Sequence, residues 1–264
     1  MRYPDINPIL IQMGPIQIRW YGLMYVIGFL LAYFIMLRIS KDRRYDLKRQ
    51  DIEDLLAYCI LGLILGARLG YCLIYNLPYY WQNPFKIIAV WEGGMSFHGG
   101  MIGVIVVGWI YSIKRHKPFL MLADLGAVSA PLGLFLGRIG NFINAELYGR
   151  VTDMPWGIIF PGAGPYPRHP SQLYEAFFEG MILFIIVYRF SKHRSAHGNL
   201  FAVFLIGYGS MRFFLEFFRQ PDPQLGFILG LLTMGQLLCL AMVIFGILLF
   251  WQRLKLSSPY SDKV

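Results

Sequence analysis

Residues 18–38 read IRWYGLMYVIGFLLAYFIMLR, and between Arg19 and Arg38 no charged residue interrupts the run. That is about the length, 17–25 residues, that the hydrocarbon core of a bilayer demands of a spanning helix. The run is longer than the core of a signal peptide, and its basic flank (Arg38, Lys41, Arg43, Arg44, Lys48 and Arg49) follows rather than precedes it. It therefore reads as a retained membrane helix. Six further apolar runs lie at 54–75, 99–113, 119–137, 171–190, 199–215 and 227–251. The run at 99–113 is short, and the one at 119–137 contains Pro131 and several small residues. The expectation is an all-α polytopic membrane protein of seven transmembrane helices, 1–264 forming a single membrane domain.

Composition agrees. Of 264 residues, 56% are hydrophobic and only 15% charged, a balance foreign to soluble domains. The net charge of +9 raises the question of nucleic acid, but the basic residues sit in alternate loops. Lys114, Arg115 and Lys117 follow the third run, Arg189, Lys192 and Arg194 the fifth, and Arg253, Lys255 and Lys263 the last, whereas Lys86 stands alone between the second and third. This positive-inside pattern predicts the N-terminus outside and the C-terminus in the cytoplasm, with no nucleic-acid partner. Cys59, Cys72 and Cys239 lie in apolar runs without CxxC or Cys/His spacing, so they read as packing residues, not as a disulfide framework or a metal site. No internal repeat is visible.

The stretch 138–170 lies on the outer side by the same pattern. Pro155, Pro161, Pro165, Pro167 and Pro170, with Gly157, Gly162 and Gly164, preclude a regular helix and predict a Gly/Pro-rich arm or short hairpin over the outer face. Gly62, Gly66 and Gly70 in the second run, and Gly133 and Gly137 in the fourth, have the small-residue spacing that lets helices pack backbone to backbone in lipid. Packing explains them better than a ligand role does.

Charge is concentrated at the start of the arm. Gly137-Arg138-Ile139-Gly140-Asn141-Phe142-Ile143-Asn144-Ala145-Glu146-Leu147-Tyr148-Gly149-Arg150 holds two arginines, two asparagines and a glutamate. Charges near lipid are costly unless paired or given an ionic ligand, so this density predicts an anion site at the bilayer edge. In the sixth run Tyr208, Arg212, Glu216 and Arg219 share one helical face. An Arg–Glu pair at a helix end accounts for Glu216 and Arg219; Arg212 lies deeper, and one glutamate does not satisfy two arginines. Arg68 is a lone charge in the second run, either snorkelling to the interface or joining the anion site. Trp20 and Tyr21 suit an aromatic belt.

Two histidines compete as proton carriers. His98 lies in Trp91-Glu92-Gly93-Gly94-Met95-Ser96-Phe97-His98-Gly99-Gly100, where four glycines leave the backbone uncrowded; a histidine hydrogen-bonded at a helix end explains it equally, until the glycine setting and the arginines tip the balance toward a substrate-facing role. His169 precedes Pro170 in the arm, where anchoring a loop is equally natural. His116, His193 and His197 read as solvated. Ser171 suggests the N-cap of the fifth helix, and neither Ser96 nor Ser171 sits in a nucleophile elbow.

The runs Trp20–Tyr25, Gly93–Gly100, Gly137–Arg150, His169–Glu175 and Arg212–Arg219 together resemble the bacterial prolipoprotein diacylglyceryl transferases, from about Trp20 to Arg219. The resemblance implies transfer of the diacylglyceryl group of phosphatidylglycerol to the lipobox cysteine of a prolipoprotein signal peptide, with release of glycerol-1-phosphate. It implies no metal or organic cofactor, and a place in the bacterial cytoplasmic membrane with the active site toward the outer leaflet. On that resemblance His98 is the expected base, and Arg138 and Arg212 are expected to grip the phosphate. Asn141 and Asn144 would supply hydrogen bonds, Glu146 and Glu216 would hold the arginines, and Tyr21 would touch headgroup or lipobox. Gly149, Tyr208 and Arg219 complete the expected substrate site. Whether Glu146 rather than His98 takes the thiol proton stays open, as does an anionic-lipid flippase or carrier without covalent chemistry; a purely structural helix bundle would leave the outer-face charges unexplained.

Overall fold

The computed structural model describes residues 1–257 apart from 15, 43–44, 194–195, 221–226 and 229–231. Arg43, Arg44, Arg194 and Lys263, counted above among the basic residues, lie outside the described residues. The chain is mostly helical: α1 (Trp20–Ile39), α2 (Arg49–Gly70), α3 (Leu77–Gln82), α4 (Phe97–Arg115), α5 (Phe119–Ile143), α6 (Ser171–Glu175), α7 (Leu183–Phe190), α8 (Asn199–Leu215) and α9 (Met234–Ser257). Among the described residues five helical stretches are long and apolar enough to cross a membrane: Trp20–Ile39, Arg49–Tyr75, Phe97–Arg115, Phe119–Ile143 and Met234–Lys255.

The other two expected spans differ in instructive ways. Helix α8 is apolar but has 17 residues. The run 171–190 is helical throughout, yet a π-helical stretch at Ala176–Ile182 joins α6 to α7. A π bulge inside an α-helix often marks a functional site. Two small hairpins modify the all-α expectation: β1 (Ile9–Met13) pairs with β2 (Ile16–Arg19), and β3 (Phe227–Ile228) with β4 (Leu232–Thr233). Residues 18–19 are thus strand and 227–233 precede the last helix, so both spans start later than the apolar pattern suggests. Helix α5 also runs six residues past 137, through the Asn-containing turn to Ile143, and the irregular arm begins only after it.

Packing divides the chain into two units, Met1–Ile39 with Asp124–Val264, and Ser40–Ala123. In the second unit α2 and α4 cross through their glycines. A Cβ on Gly70 would lie 2.8 Å from Gly99 Cα, one on Gly66 equally close to Gly103 Cα, and one on Gly62 would run into Val107. The four-residue spacing is therefore a packing device. Gly99 and Gly100, which the sequence suggested as free space around His98, are buried in this crossing.

In the first unit α8 packs against α9, and a Cβ at Gly209 would approach Cys239 O at 2.9 Å. The start of α8 lacks a cap of its own, since Gly198 takes φ +98°. Asp124 of α5 substitutes: its buried carboxylate accepts from Gly198 N and Phe201 N, each at 2.8 Å. Only part of the expected glycine contact on α5 forms. Gly133 lies near Gly28, but a Cβ on Gly137 would meet nothing within 4 Å.

Candidate functional site

Helix α5 ends in the polar segment that carries Arg138, Asn141, Asn144 and Glu146, and its last turn is capped from a distance. Tyr3 Oη donates to Phe142 O at 2.8 Å and to Ile143 O at 2.9 Å, satisfying carbonyls that a helix end leaves free. The chain then turns through Ala145 (φ +53°) and Leu147 (φ +56°), left-handed conformations costly for residues with a Cβ. Between them Glu146 is exposed, its Oε1 accepting from Asn141 Nδ2 at 2.8 Å and Asn144 Nδ2 at 3.2 Å. Gln172, fully buried, donates to Glu146 O at 2.6 Å. Among the described residues Glu146 is thus held by the asparagines, and the arginine contact expected of it is not seen there. Tyr21 lies across Gly140, half-buried, within reach of the Asn141 side chain, and its hydroxyl is 3.2 Å from that of Tyr25.

Three arginines, one each from α5 and α8 and one, Arg219, just past the end of α8, meet three carboxylates. Arg138 Nε lies 2.6 Å from Glu175 Oε2, and its Nη2 is 4.0 Å from Glu179 Oε2. Arg212 Nη1 lies 3.1 Å from Glu175 Oε1 and 3.4 Å from Glu179 Oε1, while Nη2 donates to Glu216 Oε2 at 3.0 Å. Arg219 Nη1 reaches Glu175 Oε1 at 3.4 Å. Glu175 and Glu179 are almost wholly buried, at 1% and 0% exposure, so they sit where an uncompensated charge would be most costly. Glu216 is steadied by Thr233 Oγ1, which donates to Oε1 at 3.2 Å.

The sequence brought Arg138, Arg212, Glu216 and Arg219 to notice but missed Glu175 and Glu179. The signal was available: two acids four residues apart inside an apolar run, which puts both on one face of the helical segment. Arg212 needed more than one glutamate, and these supply the rest. The two leading arginines are unequal. Both Nη atoms of Arg212 are engaged, whereas Arg138 is fastened through Nε, and its Nη1 has no hydrogen-bond partner among the described residues.

The arm folds back on this cluster by backbone pairing. Gly149 N donates to His169 O at 2.9 Å, His169 N to Arg150 O at 3.0 Å, and Arg150 N to Phe218 O at 2.9 Å. A side chain on Gly149 would collide with Phe218 O and would lie 2.8 Å from His169 Cβ, so closeness of chain to chain explains this glycine. Arg168 ties the arm together, donating to Ala163 O, Gly149 O and Gln220 Oε1, with its guanidinium 5.1 Å from the Tyr148 ring centre. His169 is half-buried against Phe218, its Nδ1 3.2 Å from Tyr174 Oη, and burial lowers its pKa from the ordinary value. Ser171 is not the N-cap of α6: Pro170 occupies that position, and Ser171 Oγ donates to Leu147 O at 3.1 Å. Tyr208 stacks on Phe204, on the same helix as Arg212.

In the second unit His98 is exposed in the first turn of α4, its ring edge-on to Phe97. Ser96 caps that helix, accepting from Gly99 N at 3.1 Å. Arg68, 3% exposed, neither snorkels nor faces an anion: its guanidinium donates to backbone carbonyls of residues 86–94.

Among protein families, the model of prolipoprotein diacylglyceryl transferase matches residues 8–252. A phosphatidylglycerol–prolipoprotein diacylglyceryl transferase of Geobacter sulfurreducens is 52% identical over 247 residues, covering 94% of this chain and 95% of the relative. Proteins of the same description from Coxiella burnetii and Photobacterium profundum are 50% and 49% identical, over 94% of this chain and 96% and 94% of their own lengths.

Proposed function

The chain belongs to the prolipoprotein diacylglyceryl transferase family, and we infer from this that it transfers the diacylglyceryl group of phosphatidylglycerol to the lipobox cysteine of prolipoproteins. The cysteine sulfur attacks the glycerol carbon that bears the phosphate, a C–S bond forms, the C–O bond to phosphate breaks, and glycerol-1-phosphate departs. The single observation that carries a lipid site in this chain is Arg138. Anchored through Nε on buried Glu175, its guanidinium keeps Nη1 uncommitted, and arginine donors of this kind suit a phosphate oxygen. Arg212, with both Nη atoms engaged by carboxylates, adds positive charge to the same cluster. Asn141, Asn144 and Tyr21 line the approach on the same helix end and its neighbour. Tyr208, Glu216 and Arg219 belong to the supporting network, and Gly149 serves through the arm's folding.

The thiol must lose its proton, and with an ordinary pKa of about 8.5 it is mostly protonated at neutral pH. We assign that proton to His98, whose neutral imidazole is the suitable acceptor. One observation favours a second assignment: Glu146 is exposed on a strained turn with both side-chain contacts on a single oxygen, leaving Oε2 open. Single substitutions separate the two, since only loss of the true base produces a defect that alkaline pH relieves.

The apolar helices place the protein in a membrane. We propose the bacterial cytoplasmic membrane, seven crossings as one membrane domain, N-terminus outside, and the arginine cluster and arm at the outer leaflet, where prolipoprotein signal peptides emerge. No cofactor is required by this chemistry. A flippase reading draws no support from the relatives, which are named as transferases. Purified protein in liposomes with phosphatidylglycerol and a lipobox peptide tests the reaction. A diacylglyceryl mass gain on the cysteine, matched by released glycerol-1-phosphate, is expected; lipid movement across the liposome without an adduct would favour the carrier.

A further inference from the structure

An arginine buried in an apolar helix normally has a carboxylate for company; Arg68 has none among its contacts. Its Nε donates to Ile87 O at 2.8 Å, Nη2 to Lys86 O at 2.6 Å, and Nη1 to Gly94 O at 3.1 Å and to Gly93 O. The Tyr80 ring covers it, 5.2 Å from centroid to Cζ. One rigid, five-donor fork thus gathers four carbonyls of a segment that is otherwise short 3₁₀ turns, Pro84–Ile88 and Val90–Glu92, ending in two left-handed glycines, Gly93 (φ +82°) and Gly94 (φ +74°). A Cβ on Gly94 would sit 2.6 Å from the Tyr71 ring and 3.0 Å from Arg68 Nη1, so glycine is what lets the chain close on the guanidinium.

Immediately after this clamp the backbone is pinned again: Ser96 N donates to Ala67 O, the neighbour of Arg68, at 2.8 Å. Ser96 then caps α4, and Gly99 seats that helix against Gly66 and Gly70. His98 lies between the cap and the seat. The other charged groups of this segment are Lys86 and Glu92, paired with each other at its surface. The backbone pinning of the entry to α4 thus runs through residues 66–70 of α2, with Tyr71 and Tyr80 packed beside it, and Arg68 is the part of that turn that carries charge.

We propose that Arg68 is a positioning residue for thiol deprotonation, fixing through the 86–94 segment the start of α4 and the place of the His98 imidazole. The inference rests on His98 being the base. Misplacing the base slows transfer at neutral pH, where the thiol needs it, and matters little once solvent ionises the thiol unaided. A loss of fold instead lowers the rate at all pH values.

The test is the pH–rate profile of diacylglyceryl transfer by purified Arg68→Ala, His98→Ala and the double variant in phosphatidylglycerol liposomes. General base catalysis contributes roughly 10²–10⁴-fold, so Arg68→Ala is expected to lose about tenfold or more in kcat near pH 7 and to recover toward wild type above the thiol pKa, with KM for phosphatidylglycerol little changed. The double variant should match His98→Ala alone. Methylguanidinium added to Arg68→Ala, reoccupying the carbonyl cluster, should restore rate at pH 7. Should Arg68→Ala not insert, Arg68→Lys carries the test, since its ammonium cannot span four carbonyls and the same pH-dependent loss is expected. A pH-independent loss in the Arg68 variant, or losses that add in the double variant, would overturn the proposal. No pH-relieved defect in His98→Ala would instead remove His98 as base, and with it the premise.

Discussion

Arg138 and Arg212 have the same side chain and different capacity left to act. Arg212 spreads two nitrogens over three carboxylates, while Arg138 is held at one edge. What makes both tenable in a membrane is Glu175, shared by Arg138, Arg212 and Arg219. Glu175→Gln leaves shape nearly intact but deprives three partly buried arginines of a common, buried counter-charge. Breaking such a buried set costs about 3–5 kcal/mol, so chemical denaturation in detergent should show a loss of that order, with transfer activity abolished. The sequence displayed the arginines because charge in an apolar run stands out. It did not show that Glu175 and Glu179 answer them from 33 and more residues away in the chain, since that depends on how the helical segment 171–190 faces α5 and α8. Arg68 was misread for a related reason: backbone carbonyls, its actual partners, have no signature in sequence.

His169 gives a pH prediction at the same scale. Burial lowers its folded pKa below the ordinary 6.5, so the folded arm prefers the neutral ring. Its contribution is complete above the unfolded pKa and is lost as pH falls through the folded value, because the unfolded chain then binds the proton more readily. The protection factors of the Gly149 and Arg150 amides, which pair across to residues 169 and 218, should fall on going from pH 7.5 to pH 5 once the intrinsic slowing of exchange is divided out. His169→Asn should remove that loss of protection; an unchanged pH response in the variant would place its origin elsewhere.

At the scale of elements, the crossing of α2 and α4 is decided by atoms that are missing. Gly99→Val would drive a branched side chain into the backbone of Gly66 and Gly70. Overpacking of this kind costs about 1–3 kcal/mol and is expected to lower the melting temperature while displacing the α4 N-terminus. The Gly62, Gly66 and Gly70 spacing announced such a contact, but its partner helix was legible only in three dimensions. The same holds for α8, whose cap is an aspartate from another helix. Asp124→Ala should destabilise by about 1 kcal/mol through the two amides it leaves unsatisfied, measurable as earlier thermal unfolding. A variant as stable as wild type would show that water replaces the cap.

For the whole molecule, hydrophobic runs gave the helices, while their ends moved wherever local chemistry overrode apolarity. Helix α5 continues through Asn141 because Tyr3 caps it from the amino terminus, and the first crossing starts at Trp20 because β2 ends there. The proposed orientation predicts opposite accessibility for two positions in an otherwise cysteine-free chain. A cysteine at Pro161 should react with an impermeant maleimide added to intact spheroplasts, and one at Lys48 only after lysis; labelling of both from outside would refute the N-out arrangement.

The most direct measurement concerns Arg138. Wild-type protein and Arg138→Ala, each purified in inserted and folded form, would be given phosphatidylglycerol and a lipobox peptide, with peptide mass and released glycerol-1-phosphate followed together. Wild type is expected to produce both in equal amounts, and Arg138→Ala neither. Near-normal turnover by the variant would contradict the account, because the phosphate would then be gripped somewhere else.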